Sequence, residues 1–201
     1  MKTYSYGDFV ETSDIEVNME SHENKDYRYS IKIPFKRTGD ETALVVMMNP
    51  SKANREQSDP TINNVLTRIY NERRTVKAVV IVNLYPIYET YSSELEHHKQ
   101  QSEINFQKLS LLVPDVSFAL LGWGKPNGFS ITRLKSIEYF NHAHRVICML
   151  QDHEIAAYKV GEYRDGLYPK HLGRSPFDTK MSEVDLESLK QKSNGLLLER
   201  T

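Results

Sequence analysis

Two rhythms of apolar and polar positions run along this chain, one of period two and one of helical spacing, and the switches between them mark its elements. Residues 27–35 (Tyr27-Arg28-Tyr29-Ser30-Ile31-Lys32-Ile33-Pro34-Phe35) alternate with period two, which predicts a strand with one wet face. Pro34 brings no amide donor and so predicts a place at a sheet edge. Thr38-Gly39-Asp40 reads as a turn into the apolar run 43–48, making residues 27–48 an expected hairpin whose second strand is the more buried. From Pro60 the spacing turns helical: Ile62, Val65, Leu66, Ile69 and Tyr70 share a face, with Asp59 as N-cap and Pro60 at the first position. Residues 76–82, rich in valine and isoleucine, predict the next strand. A helix over 94–112, a strand over 116–121, a helix through Ile131, Leu134 and Ile137, and a strand over 145–150 follow. Beyond Gln151, glycines and prolines predict a long irregular segment, closed by an amphipathic stretch at 184–189.

Strand and helix in alternation predict an α/β protein. The expected form is a three-layer sandwich with a mostly parallel central sheet and an N-terminal hairpin. With 201 residues the chain suits one domain, residues 27–201, preceded by an acidic segment, 1–26, carrying Asp8, Glu11, Asp14, Glu16, Glu20, Glu23 and Asp26. A formal charge of −1 supplies no global attraction to nucleic acid, so any such partner needs a local basic patch. The single Cys148 excludes an internal disulfide and reads as a core thiol in the strand over 145–150. No apolar run nears the roughly 20 residues that span a bilayer, and the N-terminus carries no signal-like stretch. A soluble, cytoplasmic protein with no membrane partner is the expectation.

Three strand ends deliver polar groups to what should be one rim: Asn49-Pro50-Ser51, Asn83-Leu84-Tyr85 and Gly122-Trp123-Gly124. Loops at the carboxyl ends of parallel strands are where open α/β sheets hold ligands. Each has a plainer reading, as an Asx turn, a loop start, or a glycine admitting a close neighbour. Asp59 likewise serves as a helix cap, as a rim carboxylate able to orient water, or as both. The seven histidines, His97-His98, His142 and His144 among them, show no metal-ligand spacing, and no cofactor or metal is expected. Neither a phosphate-cradling glycine loop nor a Gly-x-Ser-x-Gly elbow occurs. Late in the chain Arg164, Lys170, His171, Arg174 and Lys180 interleave with Tyr163, Tyr168 and Phe177. Such a cluster engages phosphates and stacks bases, or is simply a solvated loop.

With Tyr27-Arg28-Tyr29, Met48-Asn49-Pro50-Ser51, Ala53, Ser58-Asp59-Pro60-Thr61-Ile62, Val82-Asn83-Leu84, Asn105 and Trp123-Gly124, the chain resembles the domain-of-unknown-function family 1643 of bacteria and phages. Its closing segment, Tyr168-Pro169-Lys170-His171, keeps the family's Pro and His but not the final Pro. More loosely, Met47-Met48-Asn49-Pro50-Ser51 is similar to a strand end of the uracil-DNA-glycosylase-like fold, without its two glycines. That resemblance implies hydrolysis of an N-glycosidic bond on a nucleobase in nucleic acid or a nucleotide. Asn49 would hold the water, Asp59 would orient it or stabilise positive charge, and Asn83 would read the base. Tyr85 or Trp123 would stack the base, Ser51 would line the pocket, and Lys170, His171 and Arg174 would hold phosphates. The alternatives are a non-catalytic nucleotide or nucleic-acid binding module using the same rim, and a protein-interaction factor working through the acidic segment 1–26.

Overall fold

A run that is apolar at every position can only be satisfied by burial on both faces, and residues 43–48 take that place. In the computed structural model, which describes residues 4–88, 99–126, 128–165, 168–176 and 178–198, the run belongs to β3 (Glu41–Met47). The other strands are β1 (Glu16–His22), β2 (Lys25–Pro34), β4 (Val76–Asn83), β5 (Phe118–Leu121), β6 (Ala157–Val160) and β7 (Met181–Glu183). They form one seven-stranded sheet in the order β1-β2-β4-β3-β5-β6-β7. The four central strands β4, β3, β5 and β6 run parallel, while β2, β1 and β7 pair antiparallel at the flanks.

Helices cover both faces. On one, α1 (Pro60–Glu72) packs Ile62, Val65, Leu66 and Ile69 against Val45, Met47, Val79 and Ile81. On the other, α2 (Lys99–Leu112), α3 (Ile131–Ser136), α4 (Tyr139–Asp152) and α5 (Leu186–Leu198) enclose a second core around Leu44, Val46, Val80 and Val82. No helix among the described residues is long and apolar enough to cross a membrane.

Several expectations are corrected. Residues 27–48 are not a hairpin: β4 lies between β2 and β3, antiparallel to one and parallel to the other. The hairpin is β1–β2, turned by Glu23 and Asn24, both at positive φ as a tight hairpin turn requires. β2 is therefore interior, and Pro34 sits past the end of β1, where no ladder bond is lost. Within the acidic segment, residues 16–22 form β1, and Tyr6, Val10 and Ile15 are buried in the α1-face core. Residues 145–150 are helical: Phe140, Ala143, Val146, Ile147 and Leu150 form the buried stripe of α4, and the fourth parallel strand is β6. Cys148 is thus a half-buried helix residue, its Sγ 3.5 Å from His144 Nε2. The expected helix start at Glu94, and the His97-His98 pair, lie outside the described residues.

The segment after β6 is irregular but anchored. Arg68 of α1, buried, pairs with Glu72 at 3.1 Å and donates to the carbonyls of Pro176 and Thr179, while Glu72 accepts from the Met181 amide. This holds the tail across the start of β7.

In the second core, the His142 ring lies between Tyr85 and Phe106, with centroids 4.8 and 5.1 Å away. Burial, reinforced by Arg145 and opposed by Glu103, lowers its pKa from 6.5 to about 4. The folded protein keeps His142 neutral, whereas the unfolded chain protonates it near 6.5. Its contribution is whole above that pH and is lost as pH falls toward 4. Between pH 7 and pH 4.5 the wild type should therefore lose about 2 kcal/mol more stability than His142→Gln. Denaturant titrations at both pH values measure this, and equal losses would remove His142 from the acid response.

Candidate ligand-binding site

From β3 the chain crosses to β4 on one side, and from β4 it crosses back to β5 on the other. At such a topological switch the loops leaving neighbouring strand ends diverge and open a crevice. Four segments meet there: the loop over residues 48–59, the start of α1, the turn at Gly122-Trp123-Gly124, and the tail from Pro169 to Ser175.

The first wall begins with Asn49, half-buried, and Ser51, whose hydroxyl accepts from the Ala53 amide at 3.5 Å. Asp59 caps α1 as expected, with Oδ1 accepting from the amides of Thr61 and Ile62 at 2.8 and 3.0 Å. Its other oxygen, Oδ2, is buried without a protein partner.

The tail closes the opposite side. The Gly124 amide donates to the Pro169 carbonyl at 3.0 Å, with Gly124 at φ +65°. A short 3-10 turn, Leu172–Arg174, lies on the first turn of α1 so closely that a Cβ on Gly173 would sit 2.4 Å from Thr61 Oγ1. Between the β5 turn and the tail is a cavity of about 240 Å³, lined by Gly124, Lys125, Arg164, Pro169, Lys170 and His171. Lys125 pairs with Asp165 at 3.3 Å and lies over the Tyr168 ring, and His171 Nδ1 accepts from the Gly173 amide at 3.2 Å. Lys170 is exposed. Arg174 contributes its backbone to the 3-10 turn; its side chain, with Phe177, lies outside the described residues.

Of the expected site residues, Lys170 and His171 line this cavity, while Asn49, Ser51 and Asp59 lie on the connection from β3 to α1, which the tail meets at Thr61; Tyr85 and Trp123 are used differently. Both rings are 2% exposed and belong to the second core. The Tyr85 hydroxyl donates to the Ile137 carbonyl at 2.9 Å. The Trp123 indole N–H donates to Tyr139, whose hydroxyl donates to the Gly124 carbonyl. Neither ring offers a face to a base in this arrangement. Asn83 is 1% exposed, and neither atom of its side-chain amide has a partner. Its carbonyl accepts from Asn105 Nδ2 at 2.8 Å.

Sequence reasoning passed over what lies under the first wall. Arg28, 1% exposed, donates from Nη1 to the carbonyls of Ala53 and Ser51 at 2.8 and 3.3 Å and is hydrogen-bonded to Tyr88. Among the described residues no carboxylate stands within ion-pairing distance of it, and its Nε is buried without a partner. Burial lowers its pKa, offset in part by Tyr88, Asp59 and Tyr6. Tyr6 donates to the Asn54 carbonyl at 2.6 Å, and burial raises its hydroxyl to about 12. The signal was present in Tyr27-Arg28-Tyr29: a charge set between two aromatics in a strand whose neighbours are all buried.

Fold and crevice together define a mixed α/β protein with a polar strand-end site. A family model described as "Protein of unknown function (DUF1643)" matches residues 28–171, and the chain belongs to that family. Neither a curated protein nor a solved structure matches it.

Because Asn caps helices about as well as Asp, the two roles of Asp59 separate by substitution. Asp59→Ala should lower stability by about 1 kcal/mol, while Asp59→Asn should stay within a few tenths. Denaturant unfolding of the two variants measures this; equal losses would show that the charge, not the cap, holds α1.

Proposed function

We propose that this protein binds a nucleotide, or a nucleic-acid end, with its phosphate in the cationic cavity beside the β5 turn. The observation that carries the reading is the convergence of Lys125, Arg164, Lys170 and His171 on that one cavity at the switch point of the sheet. Ammonium, guanidinium and imidazole groups are the side chains that hold phosphate oxygens, and a concave wall raises their effect by excluding water. The uracil-DNA-glycosylase-like architecture is part of the same proposal. Supporting it are the four parallel central strands in the order β4-β3-β5-β6 and an Asn-Pro pair at the end of β3.

A second reading, hydrolysis of an N-glycosidic bond, is favoured by Asp59 Oδ2, a carboxylate oxygen left over from capping at the crevice wall. A sugar losing its base gains positive charge, which such an oxygen stabilises, with Asn49 holding the attacking water. Release of free base from a panel of nucleotides and oligonucleotides, abolished in Asn49→Ala, is the result this reading requires.

For binding, ribonucleoside 5′-monophosphates should raise the melting temperature and the matching nucleosides should not, since only ligands of the native state stabilise it. The double variant Lys125→Ala/Lys170→Ala should weaken nucleotide affinity at least about tenfold, and added salt should weaken wild-type binding. Equal responses to nucleotide and nucleoside would sink the phosphate assignment.

A further inference from the structure

Buried polar groups in folded proteins nearly always find a partner, so several unpartnered ones at one end of one sheet call for an explanation. Arg28 Nε, Asp59 Oδ2 and both amide atoms of Asn83 are such groups. They lie together by topology. β2 and β4, which carry Arg28 and Asn83, are adjacent, and the Arg28 amide donates to the Pro86 carbonyl just past β4. Met47, at the end of β3, pairs with Asn83. By strand alternation Asn83 follows Val79 and Ile81, so its side chain faces the α1 layer. Arg28 meets that layer through Ala53, and Asp59 stands at the first turn of α1.

Their chemistry narrows what fits. Arg28 Nε only donates, Asp59 Oδ2 only accepts, and the Asn83 amide does both. A phosphate would suit Arg28 but meet repulsion from Asp59. A base stacked on Tyr85 or Trp123 does not fit, since both rings belong to the opposite core. A pair of sugar hydroxyls matches: each donates to an acceptor and accepts from a donor, and a carboxylate is a common partner of ribose hydroxyls.

We propose that Arg28, Asp59 and Asn83 form a polar subsite for the ribose hydroxyls of a nucleotide. It rests on the reading that the crevice binds a nucleotide, and it narrows that ligand to the ribo series. The loop over residues 49–58 lies on Arg28 and leads directly into Asp59. Its underside is held by the Arg28 bonds to Ser51 and Ala53 and the Tyr6 bond to Asn54, while Lys52, Arg55, Glu56 and Gln57 on it are exposed. Entry of the sugar requires this loop to lift.

The test compares the four ribonucleoside 5′-monophosphates with their 2′-deoxy counterparts by calorimetric titration, on wild type and on Asp59→Asn, which keeps the helix cap. The ribo form should bind wild type about tenfold more tightly, and Asp59→Asn should bring the two within about twofold. Equal wild-type affinity for ribo and deoxy forms overturns the ribose subsite and leaves nucleotide binding standing. A ribo preference that survives in Asp59→Asn overturns the assignment to Asp59. Binding of neither series overturns the nucleotide reading itself.

Discussion

The constraint on which this molecule depends is that β3 takes parallel neighbours on both sides. A strand with Ala43, Leu44, Val45 and Val46 fully buried has no wet face, so β4 and β5 must flank it and helices must cover both surfaces. Once β4 lies on one side and β5 on the other, the connecting helices fall on opposite layers. The loops at the carboxyl ends then diverge. The crevice is a consequence of that divergence, and the polar sequence following Met48 is one of the loops that leave the sheet there.

Three arginines, Arg28 and Arg68 buried and Arg37 half-buried, show how differently this fold treats a guanidinium. Arg37 spends Nε, Nη1 and Nη2 on the carbonyls of Val76, Tyr70 and Arg73, satisfying backbone at the end of α1. Arg68 has Glu72 and two carbonyls of the tail. Arg28, the most deeply placed near the crevice, has only carbonyls and a tyrosine, and it keeps one nitrogen unpartnered. A guanidinium stays protonated, so its burial without a carboxylate costs several kcal/mol that surrounding packing must offset. The first two arginines are explained by the fold alone. Arg28 is also the residue that supports the Asn49-Pro50-Ser51 loop from beneath, so its cost falls at the wall of the site.

Where the sequence was legible, its local rules agreed with its tertiary context. β3, β4, β5 and α1 were readable because apolar runs bounded by turn residues, an Asp-Pro helix start and a clean helical stripe agree with the elements that the fold makes of them. Residues 145–150 misled because a short apolar run has the same look in a buried strand and in a helix; only the longer stripe back to Phe140 separates them. β6, with Lys159 inside it, was too short and too mixed to register. The hairpin failed for a different reason. Adjacent strands in sequence usually pair, and here β4 inserts between them, which no local pattern reveals. Of the site, Asn49, Ser51 and Asp59 were legible because strand ends and helix caps have sequence signatures. Arg28 showed only as a charge between two aromatics and Tyr6 not at all, since both take their places through the strand order and the packing of the N-terminal segment.

The distribution of rings and polar atoms decides what kind of recognition the crevice supports. Aromatic faces are what bind bases without regard to sequence, yet Trp123 and Tyr85 are tied into the second core through Tyr139 and Ile137. Freeing either would break a buried hydrogen bond and uncover apolar surface. Burial also holds the Tyr85 and Tyr139 hydroxyls well above their ordinary pKa, so neither is a source of charge at neutral pH. On the other side stand cations around the cavity by the β5 turn, and an acceptor, a donor and an amide beneath the first wall. A ligand that joins an anionic group to a hydroxylated one uses both ends, and its apolar portion need contribute little.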